Sequence, residues 1–346
     1  MKASSSRACD LIATAGALLL LSGNLSAQDD PFRKEQAPTP PPAETEQPLI
    51  ADTFQEIADR AKPAILGVAV YDFETGAMQG VNLSRPFSLQ SVFKIFLSSA
   101  LLSQVDAGQL SLDKTITLTP EDLRGGGGTI DHSDGGSFTV RDLLRAALIE
   151  SDNSAADALL RLSGGPEKVT AWLRGKGIEG VRIDRDLRTI ARDENGIPAD
   201  LFPGRNASSI QDRVPKATRQ AAFEFALSDP RDTGTPEGAV HFLVALKKGE
   251  ILSASSTSLL LGWLQEVKTG QGRLRAGFSL QTTLAHKTGT SLSFEGVNLA
   301  TNDIGLATLP GGRTLAIAVF LSGASGTDQE RSRILAACAR VAAKSN

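Results

Sequence analysis

The chain has 346 residues, of which 41% are hydrophobic and 22% charged, and its formal net charge is −3 at pH 7. This composition excludes collagen-like, disordered and multi-span membrane proteins, and the slight acidity gives no basis for nucleic-acid binding. With 3 histidines and 2 cysteines, neither a zinc site nor a disulfide scaffold is indicated.

The first 27 residues have the pattern of an export signal. Lys2 and Arg7 precede an apolar stretch, 11–21, which is too short to span a bilayer, and small residues then lead to Ala27. We expect cleavage after Ala27, no remaining membrane span, and a periplasmic or secreted protein; a retained anchor is the alternative. Residues 28–50 are polar and proline-rich, which predicts an extended, disordered linker.

The folded part is expected to run from 51 to 346. A first helix is predicted after Asp52 as N-cap, and strands at Ala64–Asp72 and Ala77–Leu83 follow it. The strongly apolar segment Val92–Ala107 predicts a buried helix that stops at Gly108. Periodicity predicts further helices at 139–150, 154–162, 166–176, 236–248, 256–265 and 328–343, and strands at 283–287, 296–300, 303–309 and 314–321.

Strands at both ends of the chain with helices between them indicate an α+β fold. We expect a mixed domain with an antiparallel sheet flanked by helices, built from about 51–90 and 266–346. An all-helical part, about 91–265, would be inserted into it. Cys338 lies in a helical apolar spacing, which predicts a buried, unreactive thiol.

One candidate nucleophile stands at the start of the apolar helix. Ser91 and Lys94 are three residues apart, so they would share a helix face, where a buried lysine can activate a serine. Free N–H groups at the helix start would favour developing negative charge. A second Ser-x-x-Lys, Ser111 to Lys114, lies in a polar segment and is interpreted as surface.

Two more short motifs carry polar side chains suited to acyl transfer. Ser151-Asp152-Asn153 falls at the junction of two predicted helices, where it would also cap the second one. Lys287-Thr288-Gly289 lies on a predicted strand, so a cation and a hydroxyl group can face a cleft. Its duplicate, Lys268-Thr269-Gly270, ends a helix and is interpreted as a loop.

The three motifs in this order are much more specific than any one of them. With them, the chain resembles class A β-lactamases from about Thr53 to Val341. Further matches are Arg231-Asp232-Thr233, His286-Lys-Thr-Gly-Thr-Ser291 and Asn302-Asp303-Ile304-Gly305. The resemblance implies the β-lactamase-like fold and a serine hydrolase that opens β-lactam rings.

The resemblance also implies roles for the acylating residues. Ser91 attacks the lactam carbonyl, Lys94 helps to take its proton, and Ser151 relays a proton to the leaving nitrogen. The backbone N–H groups of Ser91 and Thr290 form the oxyanion hole. Two lysines that converge on one cleft would help keep Lys94 neutral.

For substrate binding, the resemblance implies five residues. Asn153 hydrogen-bonds the substrate's side-chain amide, and Lys287 receives its carboxylate together with Thr288 and Thr290. Arg273 adds a positive charge there. A carboxylate-bearing acyl donor needs such a preorganised anion pocket.

The chain departs from the family at the residue that drives deacylation. Class A enzymes use a glutamate on a loop before the Arg-Asp-Thr segment, and here Leu187 falls at that place, with Asp186 one residue earlier. Asp186 is the candidate replacement base. The loop between Arg185 and Arg231 is unusually long, and two of its glutamates are not placed by the resemblance, Glu194 and Glu224.

The sequence therefore predicts an exported serine hydrolase of β-lactams with an acyl-enzyme at Ser91 and slow hydrolysis. It is expected to be a monomer with a small-molecule substrate and without metal or cofactor. One alternative is a β-lactam or peptidoglycan-stem binding protein that is acylated without efficient turnover; another is a D-Ala-D-Ala peptidase-like acyl hydrolase. A serine–histidine triad would require one of His132, His241 and His286.

Overall fold

The computed structural model describes residues 51–119, 122–124, 128–133, 135–199, 210 and 213–344. The predicted signal peptide, 1–27, and linker, 28–50, lie outside these residues. Of the helices in the described ranges, none has the length and apolarity needed to cross a membrane.

A six-stranded antiparallel sheet forms the larger layer of the fold. Its strands have the order β2-β1-β10-β9-β7, and β8 pairs with β9. Two two-stranded sheets, β3 with β6 and β4 with β5, accompany it. The strands are β1 Ile65–Asp72, β2 Met78–Val81, β3 Phe87–Ser88, β4 Thr115–Leu118, β5 Gly136–Thr139, β6 Thr233–Gly234, β7 Thr283–Thr290, β8 Ser293–Phe294, β9 Val297–Thr308 and β10 Thr314–Ser325.

Helices cover both faces of the sheet and make up most of the inserted part, which also contains the short strands β4, β5 and β6. They are α1 Phe54–Ala61, α2 Phe93–Asp106, α3 Val140–Arg145, α4 Asn153–Leu162, α5 Pro166–Gly175, α6 Leu187–Glu194, α7 Lys216–Ala226, α8 Pro236–Lys247, α9 Ala254–Gln265, α10 Leu274–Gly277 and α11 Asp328–Lys344. A π-helical turn, Ala146–Glu150, continues α3. Since α2 is apolar all round, it is buried on all sides over most of its length.

Two hydrophobic cores lie on opposite faces of the sheet. Alternate residues of β10 show this division: Phe320 belongs to the core shared with α2, whereas Val319 belongs to the core shared with α1 and α11. This alternation follows from the two-residue period of a strand. Cys338 of α11 is fully buried in the second core, and burial raises the pKa of its thiol, as expected for an unreactive cysteine.

The predicted α+β fold is confirmed, while several local predictions are wrong. Thr53, rather than Asp52, caps α1 by accepting a hydrogen bond from the Glu56 N–H at 3.2 Å. The strands predicted at 296–300 and 303–309 are one strand, β9. The segment predicted as a long loop contains two helices, α6 and α7.

Candidate active site

The predicted nucleophile lies in a tight turn at the start of α2. A 3₁₀ turn, Gln90–Val92, holds Ser91 immediately before α2, and Ser91 is partly exposed. Gln90 has a φ of 47°, in the left-handed region that a non-glycine residue rarely adopts. Asn302 of β9 fixes this turn, because its side-chain amide donates to the carbonyl of Ser88 at 2.8 Å and that of Leu89 at 3.2 Å.

The glycine of the Lys-Thr-Gly motif allows β7 to lie against this turn. A Cβ atom at Gly289 would be 2.7 Å from the carbonyl oxygen of Leu89 and 3.2 Å from the Cβ atom of Gln90. Only glycine permits so close an approach of two backbones. The sequence Lys287-Thr288-Gly289 therefore lies beside the nucleophile's turn, as the resemblance to class A β-lactamases implies.

Two lysine side chains meet at the hydroxyl group of Ser151. The Nζ atom of Lys94 is 3.3 Å from Ser151 Oγ, 2.5 Å from the Ser151 carbonyl oxygen and 2.8 Å from Asn153 Oδ1. The Nζ atom of Lys287 is 3.0 Å from the same Ser151 Oγ. The structure thus brings together Lys94, Ser151, Asn153 and Lys287, which are far apart in sequence.

Burial depresses the pKa of both lysines. Lys94 is fully buried, which lowers the pKa of its amine to about 8 although the carboxylates of Asp152, Asp131 and Asp157 oppose the shift. Burial, together with the nearby charge of Lys94, lowers the pKa of Lys287 well below its usual value. A lysine with a pKa near 8 is partly neutral at pH 7, as a proton acceptor must be.

The backbone around Ser151 is set by buried carboxylates. The π-helical turn after α3 ends at Ser151, which has a φ of 61°. Asp152 caps α4, accepting a hydrogen bond from the Ala155 N–H at 2.8 Å, and its second oxygen accepts from the Asp131 N–H at 2.9 Å. Asp131 in turn accepts from the Ser154 N–H at 3.1 Å. In the Ser151-Asp152-Asn153 motif, Asp152 thus caps α4 while Ser151 and Asn153 contact the buried lysines. The helix-capping role and the predicted functional role are both compatible with this geometry.

The other end of the site is built around Thr290. Arg273 is buried, and its guanidinium donates to Thr290 Oγ1 at 2.7 Å and to the Gly289 carbonyl at 3.1 Å. Thr290 is exposed, whereas Thr288 is buried and its hydroxyl group is 2.6 Å from that of Thr269. Of the two predicted carboxylate-binding threonines, Thr290 is thus the one open to solvent.

The duplicate motifs lie on the surface. Ser111 is exposed and accepts a hydrogen bond from the Asp113 N–H at 3.2 Å, within a short turn. The Lys268 side chain is 73% exposed and lies 3.9 Å from Glu150. The choice of Ser91 and Lys287 over these two residues agrees with the geometry.

The histidines do not offer a better partner for a serine. His132 and His241 are exposed. His286 is buried and its Nδ1 atom is 2.8 Å from Asp303. Lys94 is buried in the first turn of α2, directly after the turn of Ser91, and is therefore a better candidate base than these histidines.

The segment that contains Leu187 is fixed at its beginning. Arg185 Nε is 2.6 Å from Asp232, and the Leu187 N–H donates to Asp157 Oδ1 at 2.8 Å. The Leu187 side chain packs against the core shared with α2. Asp186, the candidate replacement base, caps α6 by accepting from the Thr189 N–H at 2.7 Å.

Sequence reasoning missed the roles of Asp157, Asn302 and Gln90 in positioning this site. A signal existed for Asp157, since it lies four residues after Asn153 on α4 and so shares a helix face with it. No local sequence signal indicates the role of Gln90, because its side chain contacts Glu194 at the end of the remote helix α6.

Comparisons with known proteins agree with this site. The model of the β-lactamase enzyme family matches residues 49–345. β-Lactamase L2 of Stenotrophomonas maltophilia is 31% identical over 87% of this chain and 87% of that protein. β-Lactamase VEB-1 of Pseudomonas aeruginosa is 27% identical over 82% of this chain and 85% of that protein.

Solved structures give the same result. A β-lactamase from Chitinophaga pinensis has a TM-score of 0.70 and 30% identity, with 83% of this chain and 96% of that chain covered. An ancestral class A β-lactamase of Gram-negative bacteria has a TM-score of 0.69 and 32% identity. The match covers 84% of this chain and 97% of that chain. Together with the assembled motifs, these matches show that the chain belongs to the class A β-lactamase family and is a serine hydrolase of β-lactams.

Proposed function

We propose that this β-lactamase is exported and that it is acylated rapidly at Ser91 but deacylated slowly. In acylation, Ser91 Oγ bonds to the lactam carbonyl carbon while neutral Lys94 accepts its proton. Breaking of the C–N bond then requires a proton on the ring nitrogen, which Ser151 supplies. The 3.3 Å between Lys94 Nζ and Ser151 Oγ supports this relay.

The substrate class follows from the charges at the two ends of the site. Lys287 is buried beside Ser151, and Arg273 donates to the exposed Thr290. A carboxylate on the substrate would be held here by charge-assisted hydrogen bonds. β-Lactams that carry a carboxylate next to the ring nitrogen are therefore the proposed substrates.

The single observation that supports slow deacylation is the side chain at position 187. Leu187 is held by the Asp157 carboxylate through its backbone and packs against the core through its side chain. A leucine cannot accept a proton from water. Because a positioned general base contributes about a hundred- to ten-thousand-fold, deacylation is expected to be slower by roughly that factor.

The proposal is tested by following colour and intact mass together after mixing the protein with excess chromogenic cephalosporin. We expect a burst equal to the enzyme concentration, then a slow steady rate, with the acyl-enzyme visible by mass. Brisk turnover without a burst would contradict slow deacylation. Covalent labelling with no turnover at all would instead identify a β-lactam binding protein.

A pair of variants examines the cause of the slow step. Leu187→Glu should speed the steady rate and shorten the lifetime of the adduct, because it restores a carboxylate at the first residue of α6. Leu187→Gln is the matched control, since it has the same length but no basic carboxylate. Equal rates in the two variants would mean that position 187 does not limit deacylation.

A further inference from the structure

The last residue of α6 contacts the residue that precedes the nucleophile. The side-chain amide of Gln90 donates to Glu194 Oε1 at 2.6 Å and to Ser88 Oγ at 3.1 Å. Both hydrogens of the amide are thus used. The segments joined by the first bond are 104 residues apart in sequence, so this contact ties the lengthened segment to the turn of Ser91.

The contact supports a conformation that a glutamine does not favour by itself. Gln90 has a φ of 47° and is 8% exposed. A non-glycine residue in the left-handed region is strained and persists only where neighbouring groups hold it. Asn302 holds the backbone carbonyls on one side of Gln90, and Glu194 holds its side chain.

The helix that carries Glu194 is fixed at both ends to parts of the site. At its start, the N–H groups of Leu187 and Arg188 donate to Asp157 at 2.8 and 3.2 Å. At its end, Glu194 receives the Gln90 amide. This eight-residue helix thus connects Asp157 of α4 with the turn of Ser91.

Glu194 is surrounded by several charged groups. Burial raises the pKa of its carboxyl group to about 7, although the Gln90 hydrogen bond and the charge of Arg185 oppose the shift. The acids Asp229 and Asp232 act in the same direction as burial. The charged groups that line the adjacent recesses or act on this carboxyl group are Arg185, Asp193, Arg219, Asp229, Arg231 and Asp232.

We propose that Glu194 is a positioning residue for acylation, whose ionised carboxylate holds Gln90 and thereby the backbone of Ser91 in the reactive conformation. This inference deepens the proposed function and rests on it. A carboxylate accepts a stronger hydrogen bond than a neutral carboxyl group does. The contact between Glu194 and Gln90 should therefore aid acylation above about pH 7 and lose most of its effect below it.

The test is a double-mutant cycle on the rate of acylation by a chromogenic cephalosporin under single-turnover conditions. The variants are Glu194→Met, Gln90→Met and both together, because methionine keeps the length of the side chain without the hydrogen bond. We expect a coupling factor of about tenfold at pH 8.5, the size of a hydrogen bond to a charged group. At pH 5.5 the factor should fall below about twofold, since the carboxyl group is then protonated. Titration of Lys94 changes the acylation rates of the wild type, the two single variants and the double variant alike, so it cancels from the coupling factor.

A second pair in the chain serves as the control. Gln220 donates to Glu224 at 2.9 Å on the surface of α7, so it has the same chemistry without contact to the Ser91 turn. The cycle of Gln220→Met and Glu224→Met should give no coupling at either pH. Equal coupling for both pairs would refute a specific role of Glu194.

Further outcomes that overturn the inference are distinguishable from failure of the proposed function. Coupling below twofold at pH 8.5, or coupling that does not change with pH, contradicts a role for the ionised carboxylate. Loss of deacylation alone, with acylation unchanged, would instead give Glu194 a role in activating water. If the wild-type protein is not acylated at all, it is the proposed function that fails.

Discussion

Replacing Glu194 by glutamine should make the protein more stable at alkaline pH. Burial raises the pKa of this carboxyl group from 4.5 to about 7. Because the folded value lies above the unfolded one, the unfolded chain releases its proton first as the pH rises, and stability falls between about pH 4.5 and 7. It stays low at higher pH.

The magnitude follows from the same two values. A difference of about 2.5 pH units corresponds to about 3 kcal/mol, and this is an upper value because the residue is partly exposed to water. Glu194→Gln removes the ionisation but keeps the shape of the side chain. The variant should gain about 1 to 3 kcal/mol in the free energy of unfolding at about pH 8 and almost nothing at about pH 4.

Urea unfolding at the two pH values measures this gain. Glu224→Gln is the control, because Glu224 is exposed on α7 and should show no pH-dependent gain. A Glu194→Gln variant less stable than the wild type at pH 8, or equally stabilised at both pH values, would refute the reasoning. A confirmed gain would mean that the chain keeps an ionised carboxylate at a cost in stability, as functional sites often do.

Three further predictions concern residues already placed by the structure. Ser91→Ala should abolish covalent labelling by penicillins in mass spectra, whereas Ser111→Ala, on the surface, should leave labelling intact. Lys287→Ala should lower the acylation rate for carboxylate-bearing lactams by at least tenfold, because the substrate carboxylate favours the protonated form of Lys287 and the resulting charge-assisted contact is lost; Lys268→Ala should change it less than twofold. Asp186→Asn should leave the deacylation rate within about threefold of wild type, because asparagine also caps a helix; a large decrease would show that Asp186 is the base.

The elements with clear hydrophobic periodicity could be predicted from the sequence, and those stabilised by distant partners could not. Two strands, 296–300 and 303–309, are predicted in place of β9 because the polar run Thr301-Asn302-Asp303 interrupts its apolar residues. In the structure the side chains of Asn302 and Asp303 are buried and take part in hydrogen bonds: the Asn302 amide donates to the turn before Ser91, and Asp303 contacts His286. These contacts lie far away in sequence, so no local pattern shows that β9 continues.

The helix α6 shows the same limit in another form. Asp186 as a cap and the apolar residues Leu187, Ile190 and Ala191 fit a helix start, but the resemblance to a family loop favoured an irregular segment. The residues proposed for the chemistry were more predictable than the residues that hold them in place. Ser-x-x-Lys, Ser-Asp-Asn and Lys-Thr-Gly are short enough to be read locally, whereas the contact of Glu194 with Gln90 depends on how a long insertion folds back.

The burial of Cys338 makes site-specific labelling of this enzyme straightforward. Cys338 is the free cysteine of the described residues, and it is fully buried with a raised thiol pKa, so maleimide reagents should not reach it in the folded protein. Leu280, which is 92% exposed, can be replaced by cysteine to give a single reactive thiol in the chain that follows the predicted signal peptide, which contains Cys9. A dye attached there would lie in the segment between α10 and β7, at the opposite end of β7 from Gly289 and Thr290, so the labelled enzyme should keep its acylation rate.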